Sequence, residues 1–528
     1  MNLERLRTRI GIGILCLALG ASFWRVASRN IQAVSSNKIE LRIGHQNIHS
    51  GMREGYAAAI ESYQQLHPNV KITQVAVPLR TYSPWVRTQL IGGNAVDILS
   101  TWEARTDDIQ RYFLPLSPYL SEPNPYNAGT SLEGVAWRDT FFDGLSNMRQ
   151  PNQADGEIYS ISLQRVSTLL FINIDLLREI TGNDTALPRD FDDLRYLAAQ
   201  VRAYNQRTGK HIIPIASGRV YADIAFTRII PSLTQKLVLN HSPNRNLKMD
   251  DFDRLILDGT FSYSKTPALR HSLELMSELA QMLTPGFAQF ENHDAVASYA
   301  QQRNLMIIAG SWDYGTLVAS GNFETRAVPI PLPSPSNSQY GEFTFGPSAE
   351  IQFPDGTLGV VKSSEHREIA LDFLRYLTSQ PVATQFSEMS QRLPSIINAP
   401  ISKELEQLRP DDFGEIPGFR VDFMFGANAQ TFIARHIHEV TGLRPDIPRF
   451  AATLDTQIGS YIREDLSNRL KNLTRLIRNL DTAIVLNLTT PDKADTPSTW
   501  IRDSENQHRY QYDYLRTRLR YDSAAPAK

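Results

Sequence analysis

Apolar positions change their period in step along residues 41–99. Leu41-Arg42-Ile43-Gly44 reads as a short apolar strand, and His45-Gln46-Asn47 as the polar loop after it. Tyr56, Ile60 and Tyr63 then recur at the spacing of one helical face. His67-Pro68 ends that helix, because proline disfavours helical geometry in the residue before it. Val70 to Val77 alternates as a strand, and a second helical segment runs into Ile91-Gly92-Gly93-Asn94-Ala95-Val96-Asp97-Ile98-Leu99. Strand–helix–strand–helix–strand opens an α/β sheet, a frame that holds ligands at the carboxyl ends of its strands.

With 41% hydrophobic and 21% charged residues the chain has the make-up of a globular protein, and 528 residues suffice for two to four domains. The 54 basic and 56 acidic side chains nearly cancel, so nothing suggests a nucleic-acid footprint. Arg5, Arg7 and Arg9 precede an uncharged apolar run from Ile10 to Trp24. Fifteen residues suit the core of a signal peptide better than a membrane span, which needs about 20. Small residues near Gly20-Ala21 or Val26-Ala27-Ser28 offer cleavage points, and an uncleaved inner-membrane anchor over residues 1–30 is the alternative. Cys16, the one cysteine, lies inside the run without the small residues that a lipid-anchor signal wants before it. The expected exported body therefore has no disulfide and is held together by packing alone.

Further phrases follow in order. Gly156-Glu157-Ile158-Tyr159 leads to Leu169-Leu170-Phe171-Ile172-Asn173-Ile174-Asp175-Leu176-Leu177. Leu187-Pro188-Arg189-Asp190-Phe191-Asp192-Asp193-Leu194 opens a helix. Leu305 to Gly310 runs into Ser311-Trp312, and a late helix carrying Ala370, Phe373, Leu374 and Leu377 precedes Arg392-Leu393-Pro394-Ser395. Together with the Gly-Gly-Asn-x-x-Asp-Ile phrase and Thr441-Gly442 before a last helix, these segments resemble the carbohydrate-type extracellular solute-binding proteins of ABC importers, the group of maltose-binding protein. The likeness spans roughly residues 40–465. Ile172 stands where that family usually has tyrosine, and Phe191 where it has tryptophan.

The resemblance implies a type II periplasmic-binding-protein fold, α/β, with two lobes that are each an open mixed sheet flanked by helices. Lobe one would combine residues 40–160 with 357–400, and lobe two 163–354 with 403–465. Short crossings near Ser160–Leu163, Asp355–Leu358 and Ala399–Glu404 would form a hinge that ligand closes. Beyond the family's usual end, Leu466, Leu470, Leu473, Ile477, Leu480 and Ile484 are spaced as a heptad seam. Residues 466–488 thus read as a helical C-terminal extension, either packed on lobe two or open to a partner or second copy through residues 466–484. Residues 489–528 read as a polar tail, in part mobile, punctuated by Tyr510, Tyr512, Tyr514 and Tyr521.

A sugar receptor needs flat rings to stack on pyranose faces and polar groups to bond hydroxyls. Trp102, Trp312, Tyr314 and Phe425 are the aromatic candidates, placed by the resemblance. His45, Gln46 and Asn47 follow the first strand, Glu103 sits beside Trp102, Gln164 and Arg165 lie at a crossing, and Arg392 opens its turn; Asn428 completes the set. An arginine there would clamp a carboxylate or phosphate, or lock the lobes by an ion pair. Asp97 reads instead as a structural acceptor of backbone donors. No Gly-x-Ser-x-Gly, Gly-x-x-x-x-Gly-Lys or His-Glu-x-x-His phrase occurs, and His436 and His438 face apart on a helix. The expectation is a non-catalytic, extracytoplasmic receptor without metal or cofactor, binding a sugar or oligosaccharide and delivering it to ABC permease subunits. A membrane-anchored sensor or scaffold on the same fold is the rival.

Overall fold

The computed structural model describes residues 38–47, 51–102, 104, 106–148, 156–242, 249–347, 352–410, 426–489 and 496–523. The apolar run 10–24 and Cys16 lie outside them. Among the described residues no helix is long and apolar enough to cross a membrane.

Two lobes share the chain. In the first, strand Ile39–His45 lies parallel between Val70–Ala76 and Ile98–Ser100, and Leu358–Val360 joins antiparallel at the edge. Helix Met52–Leu66 seats Tyr56, Ala59, Ile60 and Tyr63 against this sheet. Gly51, at φ 81, starts it, with its N–H donating to the Glu54 carboxylate at 2.8 Å. Helices Arg367–Leu377 and Gln380–Ser390 return late in the chain and add Phe373, Leu374 and Phe386 to the same core.

The second lobe orders its strands as Ile213–Ala216, Asn304–Gly310, Thr168–Asn173 and Thr325–Pro329; the first two are parallel and the other pairings antiparallel. Its two central strands are buried along their whole length, which explains why they read as continuous apolar runs. Helices Phe191–Thr208, Arg219–Leu233 and Pro267–Ala280 cover them. Between the lobes, Leu393–Pro394, Gln164–Val166 and Phe353–Asp355 form a small antiparallel sheet. Gly356, at φ 61, turns the chain out of it.

The C-terminal extension departs from expectation in two ways. Residues 466–488 are not a separate element: one helix, Ile447–Thr489, runs from the second-lobe core outward. Phe450, Leu454, Ile458, Ile462 and Leu466 enter that core, and Leu470 and Leu473 are also buried. Nor are residues 489–528 simply a polar tail, since Thr496–Ser523 is a helix packed back along the long one. Gln507 Nε2 donates to Asp481 Oδ1, and Tyr521 reaches the second-lobe core, so the pair is antiparallel. Tyr510, Tyr514, Thr517 and Tyr521 are partly or wholly buried at a spacing of 4, 3 and 4. Tyrosine rings supply apolar area behind a polar tip, so a segment of polar composition still carries a packing stripe. The long helix that carries the 466–484 seam thus packs against the chain's own last helix.

Candidate ligand cleft

A cleft of about 630 Å³ lies between the lobes, with walls from both and a floor at the crossing sheet. From lobe one, Gln46 and Asn47 enter directly after strand Ile39–His45, each only 5% exposed. Gln46 Oε1 and Asn47 Nδ2 are buried without a protein partner. An unpaired buried polar atom costs about 1–3 kcal/mol, so either amide would gain a partner by turning toward a ligand in the cleft. Trp102 follows strand Ile98–Ser100, and its backbone N–H donates to Ser100 Oγ at 3.3 Å. Leu79, at the start of helix Leu79–Ile91, completes this wall.

Lobe two contributes a helix face and a ring. Val220, Asp223, Ile224, Thr227 and Arg228 line the cleft from helix Arg219–Leu233, at spacings that share one side. Arg228 Nη2 donates to Thr168 Oγ1 at 2.9 Å. Trp312 sits in the turn Ser311–Asp313 at the end of strand Asn304–Gly310. A Cβ on Gly310 would overlap the Trp312 ring, so only glycine lets the indole fold back over its strand. The neighbouring Asp313 carboxylate accepts from the Tyr221 hydroxyl at 2.5 Å, and burial pushes it up to about 6. Arg392, with 2% of its side chain exposed, joins these parts. Its Nη1 donates to Asp355 Oδ2 at 2.5 Å and its Nη2 to the Trp312 carbonyl at 3.3 Å. Arg392 Nε keeps no protein partner.

Of the residues singled out from sequence, Gln46, Asn47, Trp102, Trp312 and Arg392 come together here. The others stand elsewhere. His45 is fully buried behind the wall, stacked on Tyr56 at 4.3 Å, and burial lowers its imidazole to about 4, leaving it neutral. Gln164 turns inward and donates to Ser390 Oγ at 2.5 Å. Arg165 lies over the Phe142 ring and bonds Gln352, so it does not line the cleft. Tyr314 stacks on Phe171 in the core and accepts from Gln407 Nε2 at 3.0 Å. Asn428 starts a helix, its N–H on the Asp465 carboxylate at 3.0 Å. Glu103 and Phe425 lie outside the described residues. Asp97 accepts from the Arg42 N–H and the Ser364 hydroxyl, at 2.8 and 2.7 Å. Sequence reasoning missed Leu79, Val220, Asp223, Ile224, Asn292 and Asp355. Only Asp355 carried a signal, its Pro354-Asp355-Gly356 turn.

The sequence pattern of the bacterial extracellular solute-binding proteins matches residues 58–408. Solved structures resemble the fold at low identity. RafE in complex with raffinose is 13% identical with a TM-score of 0.55, covering 80% of this chain and 100% of that one. The maltose/maltodextrin-binding domain MalE from Bdellovibrio bacteriovorus, bound to maltotriose, is 17% identical with a TM-score of 0.52, covering 80% and 99%. A chitin oligosaccharide binding protein is 13% identical with a TM-score of 0.54, again covering 80% and 99%. No curated protein matches the sequence.

Proposed function

This chain belongs to the bacterial extracellular solute-binding protein family, and we propose that it captures a carbohydrate between its lobes and hands it to an ABC importer. One observation carries the reading. Trp102 and Trp312 reach a single cleft from opposite lobes, above buried amide atoms that have no partner in the protein. Rings of that kind stack on pyranose faces, while Gln46, Asn47 and Arg392 Nε bond hydroxyls. Because each lobe supplies part of the set, ligand stabilises the closed form over the open one, which is what a permease can distinguish. No step in this cycle makes or breaks a covalent bond, so the protein acts as a receptor and not as an enzyme. Export by the N-terminal segment, followed by cleavage or retention as an anchor, would place it outside the cytoplasm.

The test is thermal unfolding of the protein against neutral, amino, acidic and phosphorylated saccharides. A ligand at about 100 times its dissociation constant should add roughly 2.7 kcal/mol of stability. One sugar class should raise the midpoint, and Trp312→Ala should remove the rise. A well-folded protein that responds to none of them would point to a scaffold or to a ligand of another kind.

A further inference from the structure

The cleft is graded from floor to mouth. Gln46, Asn47 and Arg392, at 5, 5 and 2% exposure, hold the floor, whereas Leu79, Trp102 and Val220, at 48, 39 and 42%, stand at the mouth. Ile224 lies one helical turn below Val220 on the same wall. Stacking on sugar accounts for the tryptophans but not for Leu79, Val220 and Ile224. Aliphatic side chains offer neither donor nor acceptor, so hydroxyls pressed on them lose water and gain nothing in return. They suit an apolar group, whose burial is favourable in proportion to its area.

Charge narrows the ligand further. The arginines lining the cleft, Arg228 and Arg392, are matched by the carboxylates Asp223 and Asp355, and Arg392 holds Asp355 directly. At the mouth Arg80 of lobe one lies 3.8 Å from Glu291 of lobe two, again one of each sign. Arg165, the other arginine expected to clamp an acid, turns away onto Phe142. Among the described residues that line the cleft, no surplus of positive charge faces the ligand.

We propose that the ligand is a neutral saccharide bearing an apolar substituent, an aryl or acyl group, with the sugar on the amide floor and the substituent between Leu79, Val220 and Ile224. This rests on the receptor reading above and specifies its substrate. Titration calorimetry on the full-length protein, with methyl and 4-nitrophenyl glycosides of glucose, galactose, xylose and N-acetylglucosamine, tests it, and methyl glucuronide serves as the anionic probe. At least one 4-nitrophenyl glycoside should bind about tenfold or more tightly than its methyl partner, the scale set by apolar contacts in a pocket. Leu79→Ser and Val220→Ser, both at exposed positions that tolerate change, should bring that ratio close to one. Equal affinity within every pair that binds, or preference for the glucuronide, would overturn the inference while leaving the receptor reading in place. So would a ratio that survives both serine variants, because the substituent would then rest away from Leu79 and Val220. Absence of binding by every glycoside would overturn this inference, and the receptor reading would then be decided by the wider saccharide panel above.

Discussion

The two walls of the cleft are built differently. Lobe one sends its polar side chains and its ring from the ends of its strands, Gln46 and Asn47 after one and Trp102 after another, and adds Leu79 from a helix start. Lobe two sends a helix face and an indole on a turn held by its neighbours: Gly310 leaves room for the ring, Asp313 accepts from the Tyr221 hydroxyl, and Arg392 donates to the Trp312 carbonyl. A wall made of strand ends is placed by the sheet itself. A wall with supports can be disturbed without touching the ligand. The second wall is therefore where remote substitutions should reach the cleft.

Severing the support at Arg392 should have the largest effect. Arg392→Ala leaves Asp355, whose side chain is 14% exposed, without its cation and frees the Trp312 carbonyl. Removing one partner of a buried pair costs about 3–5 kcal/mol. Urea denaturation should show a loss of that size. A loss below about 1 kcal/mol would mean that water replaces the guanidinium, as for a surface pair, and that the second wall has no such dependence.

The Asp313 support should make the same wall sensitive to pH. Desolvation raises its carboxyl from an unfolded value of 3.8 to about 6 in the fold, against the Tyr221 hydroxyl, the Arg392 charge and a backbone donor, which all act to lower it. Between those values the folded chain binds more protons than the unfolded one. The contribution is present in full below about pH 4, declines as pH rises to about 6, and is level above that. A shift of this size corresponds to on the order of 3 kcal/mol. Subtracting the stability of Asp313→Asn from that of the wild type at each pH isolates this group from other carboxylates. The difference should fall across the window, and a flat difference would show that Asp313 keeps ordinary acidity and that burial is offset at this site.

How far the cleft could be read from sequence follows the same division. Residues 45–47 stand out because they follow the first apolar strand, where the resemblance implies ligand contacts, though only Gln46 and Asn47 face the cleft. Gln164 and Arg165 were taken together, yet successive strand residues point to opposite sides, and neither meets the cleft. The helix Arg219–Leu233 gave no comparable sign. It buries Tyr221, Ala222, Ala225, Phe226, Ile229 and Ile230 on several sides, so Val220 and Ile224 do not stand out as a separate stripe. The fold itself was more legible, because the phrases around Asp97, Asn173, Phe191, Trp312 and Pro394 fall at strand ends and helix starts. Asp190, for example, accepts the Asp192 and Asp193 N–H groups, as a helix start requires. The last helix was missed because its stripe is made of tyrosine and threonine.

The contrast between the walls can be put to one paired measurement of smaller size. In lobe two, Gly310→Ala places a Cβ where the Trp312 ring lies. Overpacking of this kind costs about 1–3 kcal/mol, and relief by rotation of the indole would displace the ring from the cleft. In lobe one, Ser100→Ala removes the long 3.3 Å bond that Trp102 N–H makes and the hydroxyl beside the buried Tyr82 hydroxyl. That loss should be about 1 kcal/mol or less, with Trp102 still placed by its strand. Intrinsic fluorescence quenching by acrylamide and sugar titration on the same two variants decide the matter. Gly310→Ala should alter tryptophan exposure and weaken ligand, whereas Ser100→Ala should alter stability slightly and ligand little. Equal effects on ligand from both variants would show that the two aromatic rings are held alike, and that the division between strand-end and supported walls has no functional weight.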